Sequence, residues 1–195
     1  MGEMTALDRR EVVSTLLQGR DGLLVVTGLG SPSYDVMAAG DHDGNYYLWA
    51  AMGSAMTVGL GLASARPDRP VLVVTGDGEA LMGLGALATI AVQRPANLSI
   101  AVLDNGHYGE TGMQPSHAGR GIELSAVAAA CGFPRTARIA AMEEVAAFRD
   151  RMAARDGLTL ATIGIRADNP PRVLPSRDGP YIKTRFRAAL GFAPI

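Results

Sequence analysis

The sequence predicts an α/β fold in which a central, mostly parallel sheet lies between two layers of helices, a three-layer α/β/α arrangement. Four short apolar runs have the continuous hydrophobicity of strands buried on both faces, and helical segments separate them. The chain has 195 residues and 48% hydrophobic content, which is enough for one well-buried domain and too little for two. We therefore expect a single domain over residues 1–195, with a proline-rich, basic C-terminal tail at about 167–195.

The first part of the chain predicts a helix, a strand and a loop. A helix is expected over 8–18, because its apolar residues share one side and Gly19 follows. The run GLLVVTG, residues 22–28, is typical of a strand in a parallel sheet. Residues 30–49 are expected to be mostly loop.

The middle of the chain alternates helices and strands. Small residues dominate 52–65 and 79–92, which predicts buried helices in tight contact with their neighbours. PVLVVTG (70–76) and LSIAVLD (98–104) are predicted strands. A glycine-rich loop over 105–121 follows the second of them.

The last part predicts two helices, a strand and the tail. The helices are expected at 123–130 and 142–155, and the strand LTLATIGI at 158–165. From residue 166 the chain is proline-rich and basic, and we expect it to wrap the surface of the domain or of a partner.

Composition argues against several classes of protein. The 18 basic and 19 acidic residues nearly cancel, so the chain lacks the basic surface of a nucleic-acid-binding protein. A single cysteine, Cys131, excludes a disulfide framework or a cysteine-held metal cluster and suits a reducing cytoplasm. The polar start, MGEMTALDRREVV, is unlike a signal peptide, and no apolar run is long enough to span a membrane. We expect a cytoplasmic protein.

Asp77 is the clearest candidate for a ligand-binding residue. Ligands of parallel α/β sheets sit where strands end, and here a strand ends in Gly76-Asp77-Gly78 and runs straight into a helix. The glycines let a ligand approach the backbone, and the free N–H groups of the helix start favour a phosphate. A divalent cation between carboxylate and phosphate removes their repulsion, and oxygen ligands favour Mg²⁺ or Ca²⁺. Alternatively, Asp77 is a turn residue without a metal.

Asn105 is the candidate for a second oxygen ligand. It follows the next strand, 28 positions after Asp77, with one helix and one strand between them. Gly106 and Gly109 allow the following loop to fold back and bring a main-chain carbonyl to the metal. Asn105 alone is more typical of a turn, so its pairing with Asp77 carries the prediction.

This paired motif resembles that of the thiamine-diphosphate enzymes, in which Gly-Asp-Gly is followed at a similar distance by Asn-Asn. Here it stands as GDGEALMGLGALATIAVQRPANLSIAVLDN, with Asp104 in place of the first asparagine. The resemblance implies the fold of the family's pyrophosphate-binding (PP) domain, with thiamine diphosphate and Mg²⁺ as cofactors. It assigns the Mg²⁺ ligands to the Asp77 carboxylate, the Asn105 side-chain oxygen and the His107 main-chain carbonyl.

The same resemblance predicts further cofactor contacts. Gly78 and Glu79 would offer backbone N–H groups to the diphosphate, and the Glu79 side chain is expected to point away from it. The segment WAAMGSAMTVGLGLA resembles the part of the family beneath the cofactor. Met52 matches the bulky residue that bends thiamine into a V shape, and the Ala50 carbonyl matches the acceptor for its amino group. The full predicted set of cofactor-binding residues is Ala50, Met52, Gly76, Asp77, Gly78, Glu79, Asn105, His107, Tyr108 and Gly109.

Within this superfamily the chain is most similar to the phosphonopyruvate and sulfopyruvate decarboxylases, through GDGEALMGLGALATI and the loop LDNGHYGETGMQPSH. The resemblance implies a decarboxylase for a small, anionic 2-oxo acid. A thiamine-diphosphate site also needs a pyrimidine-binding domain with an activating glutamate, and none of the seven glutamates fits such a domain. The chain is therefore expected to be the β-type subunit of a hetero-oligomer whose separate α-type subunit carries that domain.

Three other functions stay open: a carboligase of the acetolactate-synthase type, the β-type subunit of a 2-oxo acid oxidoreductase, and a non-catalytic cofactor-binding subunit. A dinucleotide site at Gly28-x-Gly30 is disfavoured, because Ser33 replaces the third glycine and Pro32 would disturb the helix start.

Other polar residues have weaker claims to function. His107 and His117 are candidates for acid–base chemistry, although His117 in a polar loop is more typically solvated. Glu110 and Gln114 are on a loop expected to border the substrate, and the acidic run at 41–43 is more typical of a solvated loop than of a metal site. The tail either forms a solvated surface, binds an anionic substrate or docks the partner through Arg172, Arg177, Lys183, Arg185 and Arg187.

Overall fold

The computed structural model describes residues 6–193, so the first five residues of the polar N-terminal segment and the last two of the tail lie outside it. Its strands are β1 (Leu24–Thr27), β2 (Asn45–Tyr47), β3 (Val71–Gly76), β4 (Leu98–Asp104), β5 (His107–Tyr108), β6 (Gln114–Pro115), β7 (Arg135–Ile139) and β8 (Thr159–Gly164). Six of them form one sheet in the order β2-β1-β3-β4-β8-β7, and every neighbouring pair is parallel. The short ribbon β5-β6 is antiparallel. The predicted parallel sheet is confirmed.

Helices cover both faces of this sheet. They are α1 (Arg9–Leu16), α2 (Ser31–Ala38), α3 (Ala55–Ala65), α4 (Asp77–Met82), α5 (Ala86–Gln93), α6 (Leu124–Cys131), α7 (Met142–Ala153) and α8 (Gly179–Ala189). Helices α1, α2 and α7 share a buried core on one face, and α3, α5 and α6 share another on the opposite face. The three-layer α/β/α fold is therefore confirmed. Within residues 6–193, no helix combines the length and the apolar character needed to cross a bilayer.

The strands read as continuous apolar runs because both of their faces are covered. In β3, Leu72 and Val74 pack into the core beneath α1 and α2, whereas Val71 and Val73 pack into the core beneath α3. Successive side chains of a strand point to opposite faces, so a strand between two helix layers needs apolar residues at every position.

The beginning of the chain is tied to the end of β8. Leu7 pairs with Ile165 in a parallel bridge, with Leu7 N 3.0 Å from the Gly164 carbonyl and Arg166 N 2.9 Å from the Leu7 carbonyl. The next residue, Asp8, caps α1, since its carboxylate accepts hydrogen bonds from backbone N–H groups of the first turn. Helix α1 is therefore fixed at its start by the last strand of the domain.

The prediction that residues 30–49 are mostly loop is wrong. The segment contains α2 and β2, and Pro32 lies in the first turn of α2. A proline there lacks only an N–H that would have no partner within the helix, so it does not disturb the helix start. The buried face of α2 includes polar Ser33 and Asp35, which hides its helical periodicity.

Two of the predicted buried helices have different boundaries. The first starts at Ala55 rather than at residue 52, so Met52 lies in the loop before α3. The second is divided into α4 and α5 by a break around Gly83. The backbone of Gly53 approaches Gly83 so closely that a Cβ atom at position 83 would lie 2.2 Å from the Gly53 carbonyl oxygen. This contact holds the loop with Met52 against the end of α4.

The last third of the chain contains two elements that were not predicted. Strand β7 is at the sheet edge and mostly polar, so it lacks the apolar run of the central strands. The tail has no regular secondary structure over 167–178 and then forms α8, whose Ile182 and Phe186 are buried against the domain. Part of the tail therefore belongs to the packed core.

Candidate active site at the carboxyl edge of the sheet

A cleft opens where β1 and β3 end. These strands are neighbours, but the chain leaves β1 toward β2 on one side and later enters β3 on the other. Such a divergence leaves a crevice outside the carboxyl ends of the strands. Among the residues that line it are Leu29, Ser31, Pro32, Met52, Gly76, Asp77, Gly78, Glu79, Asn105, His107, Tyr108 and Gly109.

The structure brings nine of the ten predicted cofactor-binding residues to this one cleft. The exception is Ala50, which is exposed and does not line it. Ala50 has a left-handed backbone conformation, with φ at 56°, which a residue with a side chain seldom adopts. The individual contacts of these residues with a cofactor remain predictions.

Asp77 begins α4 and is only 2% exposed. Its Oδ2 accepts a hydrogen bond from the hydroxyl of Ser116, which is itself fully buried. Burial raises the pKa of Asp77 to about 6; the Ser116 hydrogen bond opposes this shift and the charge of Asp104 adds to it. The groups of residues 6–193 that act most strongly on this pKa include no cationic side chain, so a bound cation would compensate a buried negative charge.

Asn105 and Asp104 shape the turn that follows β4. The Asn105 Oδ1 accepts a hydrogen bond from the His107 backbone N–H (2.9 Å), and the Asp104 Oδ1 accepts one from the Gly106 backbone N–H (2.9 Å). A carboxylate and a side-chain amide oxygen perform this turn-forming role equally well. The aspartate that replaces the first asparagine of the family motif is therefore compatible with the same turn.

The glycine-rich loop folds back over the start of α4. The Tyr108 ring lies against Gly78 so closely that a Cβ atom at position 78 would be 2.7 Å from it. The Tyr108 hydroxyl is 3.1 Å from Nδ1 of His117, a histidine in the same loop. The Gly106 carbonyl accepts a hydrogen bond from the Ser116 backbone N–H (2.8 Å), which places the Ser116 side chain beside Asp77.

The Glu79 carboxylate is turned toward β3 and the start of α3. It accepts hydrogen bonds from the Thr75 hydroxyl (2.5 Å) and from the Ala55 backbone N–H (3.2 Å), and burial raises its pKa. A Cβ atom at Gly28 would lie 1.5 Å from its Oε2, so a side chain at position 28 would displace it. Glu79 thus links β3 to the start of α3, next to the loop that carries Met52.

The oxygen donors of the cleft fit a hard divalent cation. Within residues 6–193, no three His, Cys, Asp or Glu side chains cluster closely enough to hold a metal ion. A cation at this edge would instead rely on the Asp77 carboxylate together with amide and main-chain oxygens, which are ligand types that Mg²⁺ accepts.

The acidic run at 41–43 has a structural role, since Asp41 binds Arg185 (2.6 Å) and Tyr47 (2.9 Å).

Several residues of the site were not predicted from the sequence. Ser116 is among them, because its contact with Asp77 depends on how the loop closes. Leu29 and Ser31 follow β1 at the topological switch, and Arg9 of α1 also lines the cleft. For Leu29 and Ser31, the glycine-rich end of the first strand could have indicated a binding site. From the sequence, however, that stretch was considered only as a dinucleotide site, which was disfavoured.

Comparisons with known proteins agree with this geometry. The model of the family described as "Thiamine pyrophosphate enzyme, C-terminal TPP binding domain" matches residues 36–163. A phosphonopyruvate decarboxylase of Streptomyces viridochromogenes is 39% identical over 175 residues, which are 87% of this chain and 43% of that protein. The sulfopyruvate decarboxylase subunit beta of Methanocaldococcus jannaschii is 39% identical over 109 residues, which are 56% of this chain and 57% of that subunit.

A solved structure shows the same fold. The 2-oxoglutarate:ferredoxin oxidoreductase from Magnetococcus marinus superposes with a TM-score of 0.69 at 18% identity, over 95% of this chain and 76% of that one. At this identity the likeness concerns the fold alone. The chain spans less than half the length of the Streptomyces relative.

Proposed function

The chain belongs to the family of C-terminal TPP-binding domains of thiamine pyrophosphate enzymes, and on this premise we propose that it is the cofactor-binding subunit of a Mg²⁺-dependent decarboxylase for a small, anionic 2-oxo acid. The observation that carries the proposal is the meeting of Asp77, Asn105 and the His107 main chain at one cleft. Relatives named as phosphonopyruvate and sulfopyruvate decarboxylases support the reaction and the class of substrate.

The residues of the cleft have distinct roles in this proposal. The Asp77 carboxylate, the Asn105 side-chain oxygen and the His107 carbonyl would hold Mg²⁺, and the backbone N–H groups of Gly78 and Glu79 would bind the diphosphate. When bound, thiamine diphosphate supplies the carbanion chemistry for the loss of CO₂. The chain itself binds, orients and shields the cofactor.

Three side chains prepare the cleft for this role. Ser116 orients the Asp77 carboxylate through its hydrogen bond. Tyr108 covers the backbone of Gly78 and limits the access of water to the diphosphate site. Met52, which is 40% exposed and lines the cleft, offers the apolar support for the bent cofactor.

We further propose that a separate α-type subunit supplies the pyrimidine-binding domain and its activating glutamate. Among residues 6–193, two glutamates line the cleft, Glu79 and Glu110, and the carboxylates of both are already hydrogen-bonded within the chain. Met52 and Met82 flank the contact between Gly53 and Gly83 and expose 40% and 63% of their surface, which suits a covering partner. The chain is then a single domain of a cytoplasmic hetero-oligomer, and the name of the Methanocaldococcus subunit supports this organisation.

A calorimetric titration tests the cofactor site. The purified chain, alone and with its partner, is titrated with thiamine diphosphate in the presence of MgCl₂. Asp77→Ala is expected to weaken binding by at least about 100-fold, because it removes the charged metal ligand. Asp68→Ala, which alters an exposed aspartate paired with Arg66, is the control. Absence of Mg²⁺-dependent binding in the wild-type assembly would overturn the proposal.

An activity assay then separates the candidate reactions. The assembly is incubated with 2-oxo acids that carry a second anionic group, and CO₂ and aldehyde are measured. Equal release of both products supports the decarboxylase. Condensation to a longer 2-hydroxy-ketone would instead indicate a carboligase. Reduction of an electron-acceptor dye that depends on coenzyme A would indicate an oxidoreductase subunit, and cofactor binding without turnover would indicate a non-catalytic subunit.

A further inference from the structure

A second, polar cavity adjoins the cofactor cleft. We call it the arginine pocket, and the residues that matter in its wall are Arg9, Arg10, Arg172, Ser31, Asn169 and Glu110. It shares Arg9, Ser31, Gly109 and Glu110 with the cleft, but neither Asp77 nor Asn105 lines it. The pocket therefore lies next to the predicted metal and diphosphate site without coinciding with it.

Two arginines are fixed at the base of the pocket by one carboxylate. Asp35 of α2 is 1% exposed, and its two oxygens lie 2.7 Å from Nε of Arg9 and 2.8 Å from Nε of Arg10. Arg9 is only 3% exposed. One carboxylate balances one of the two guanidinium groups, and the Arg10 side chain is 24% exposed, so this group keeps a net positive charge that an anion from solvent can reach.

The third arginine comes from the irregular part of the tail before α8. Arg172 lies over the Tyr34 ring, 5.5 Å from its centre, and its Nη2 is 3.1 Å from Oε2 of Glu110. The preceding Pro171 is held in place, because its carbonyl accepts a hydrogen bond from Nη2 of Arg10 (2.9 Å). The tail and α1 thus bring three guanidinium groups to one cavity.

Glu110 already binds this pocket in the way that an external anion would. Its Oε2 pairs with Arg172, its Oε1 is 3.4 Å from the Ser31 hydroxyl, and its side chain packs against Gly30. The side chain is 37% exposed and sits on the short turn Gly109–Thr111, so it can leave without disturbing the sheet. Glu110 is therefore a carboxylate supplied by the chain itself at an oxyanion-binding position.

We propose that the arginine pocket binds the second anionic group of the 2-oxo acid, a phosphonate, sulfonate or carboxylate, and that this group displaces Glu110. With Glu110 in place, the three arginines and two carboxylates of the pocket sum to one positive charge, and without it to two. A planar guanidinium fork suits such oxyanions. The assignment to the substrate rests on the proposed function, whereas the binding of an oxyanion does not.

Titration of the full chain, with its partner where the two associate, with methylphosphonate tests the pocket directly. Arg172→Gln is expected to weaken binding by about tenfold, and Glu110→Gln to tighten it several-fold, because the competing carboxylate is gone. A matched control pair is Arg138 and Glu123, which lie 3.2 Å apart with similar exposure (59% and 31%, against 58% and 37%). Arg138→Gln and Glu123→Gln should leave the affinity within about twofold of wild type. Equal effects in the two pairs would overturn the proposal.

Two further measurements identify the source of the anion. If it belongs to the substrate, Arg172→Gln lowers kcat/KM for phosphonopyruvate but not for pyruvate, and the affinity for thiamine diphosphate is unchanged. If Arg172→Gln instead lowers the affinity for thiamine diphosphate as much as the affinity for methylphosphonate, the anion is a cofactor phosphate and the assignment to the substrate is overturned. Should no variant bind thiamine diphosphate, the proposed function fails, while the methylphosphonate titration still decides whether the pocket binds oxyanions.

Discussion

The hydroxyl of Ser116 donates a hydrogen bond to Oδ2 of Asp77, and both side chains are buried. Ser116 belongs to the glycine-rich loop after β4, whereas Asp77 begins α4. The bond therefore couples closure of the loop to the orientation of the carboxylate that is expected to bind the metal. A close approach of Gly106 and Gly119, whose Cβ atom would lie 2.3 Å from the Gly106 carbonyl oxygen, holds the loop in this position.

Replacement of this hydroxyl should weaken the site without destroying it. Ser116→Ala is expected to lower the affinity for thiamine diphosphate and Mg²⁺ by about tenfold, because Asp77 loses the group that orients it. Ser125→Ala on α6, which removes another largely buried serine hydroxyl, is the control in the calorimetric titration. Wild-type affinity in Ser116→Ala would contradict the positioning role.

Cofactor binding should depend on pH through Asp77. Since burial raises the pKa of this carboxyl to about 6, a large fraction is protonated at pH 6 and cannot bind a cation. The Mg²⁺-dependent affinity for thiamine diphosphate is therefore expected to fall as the pH is lowered through about 6. In Ser116→Ala the midpoint should move to higher pH, because the lost hydrogen bond favoured the charged form. Titrations between pH 5 and pH 8 measure both midpoints, and a flat profile would exclude Asp77 as a metal ligand.

The stability of the metal-free chain should change in the opposite direction. The folded Asp77 keeps its proton up to pH about 6, whereas the unfolded carboxyl loses it near 3.8. The folded state binds more protons between these values, so the free energy of unfolding falls as the pH rises through this window, by about 3 kcal/mol for this group. Other buried carboxyls with raised pKa contribute as well, so Asp77→Asn is compared with wild type in urea unfolding. Identical pH slopes in both proteins would show that Asp77 is not shifted.

Neighbouring positions after β4 should respond differently to substitution. Asn105→Ala removes a predicted metal ligand and is expected to weaken Mg²⁺-dependent cofactor binding by at least about tenfold. Asp104→Asn should retain binding, because an amide oxygen can accept the same hydrogen bond from Gly106. Calorimetry on both variants checks this contrast, and the reverse order of effects would assign the metal to Asp104.

A methyl group at Gly83 should disturb the loop with Met52. Its φ of −96° is accessible to alanine, so the effect of Gly83→Ala is steric, through the contact with the Gly53 carbonyl oxygen. We expect a loss of about 1–3 kcal/mol in the free energy of unfolding, together with weaker cofactor binding. Gly85→Ala is the matched control, because its Cβ atom would meet nothing within 4 Å. Equal unfolding midpoints for the two variants would mean that the loop adjusts freely.

Burial explains which elements could be predicted. The strands β1, β3, β4 and β8 were located correctly, because each is covered on both faces and carries an uninterrupted apolar run. Three of the elements that escaped prediction, α2, β2 and β7, bury polar groups or lie at an edge of the sheet. Helix α2 buries Asp35, which is satisfied by arginines of another helix, and only one of the five residues of β7 is buried. Such compensation depends on distant parts of the chain and leaves no local periodicity.

For the site as well, residues that follow buried strands could be predicted, whereas residues that depend on distant contacts could not. Asp77 and Asn105 could be brought together from the sequence, because both follow predicted strands of one parallel sheet. The resemblance to the thiamine-diphosphate enzymes is confirmed by the family match and by the decarboxylase relatives. Arg9 and Ser116 reach the site through a helix docking and a loop closure, which no spacing along the chain encodes.

The backbone pairing of Leu7 with Gly164 and Arg166 couples the segment before α1 to the segment after β8, so that disorder in one is expected to affect the other. It anchors α1, which carries Arg9, to the start of the stretch that carries Arg172. Fraying at either segment would therefore loosen both Arg9 and Arg172 in the wall of the arginine pocket. If the arginine pocket binds the substrate as proposed, heating is expected to abolish recognition of the substrate before it abolishes binding of the vitamin.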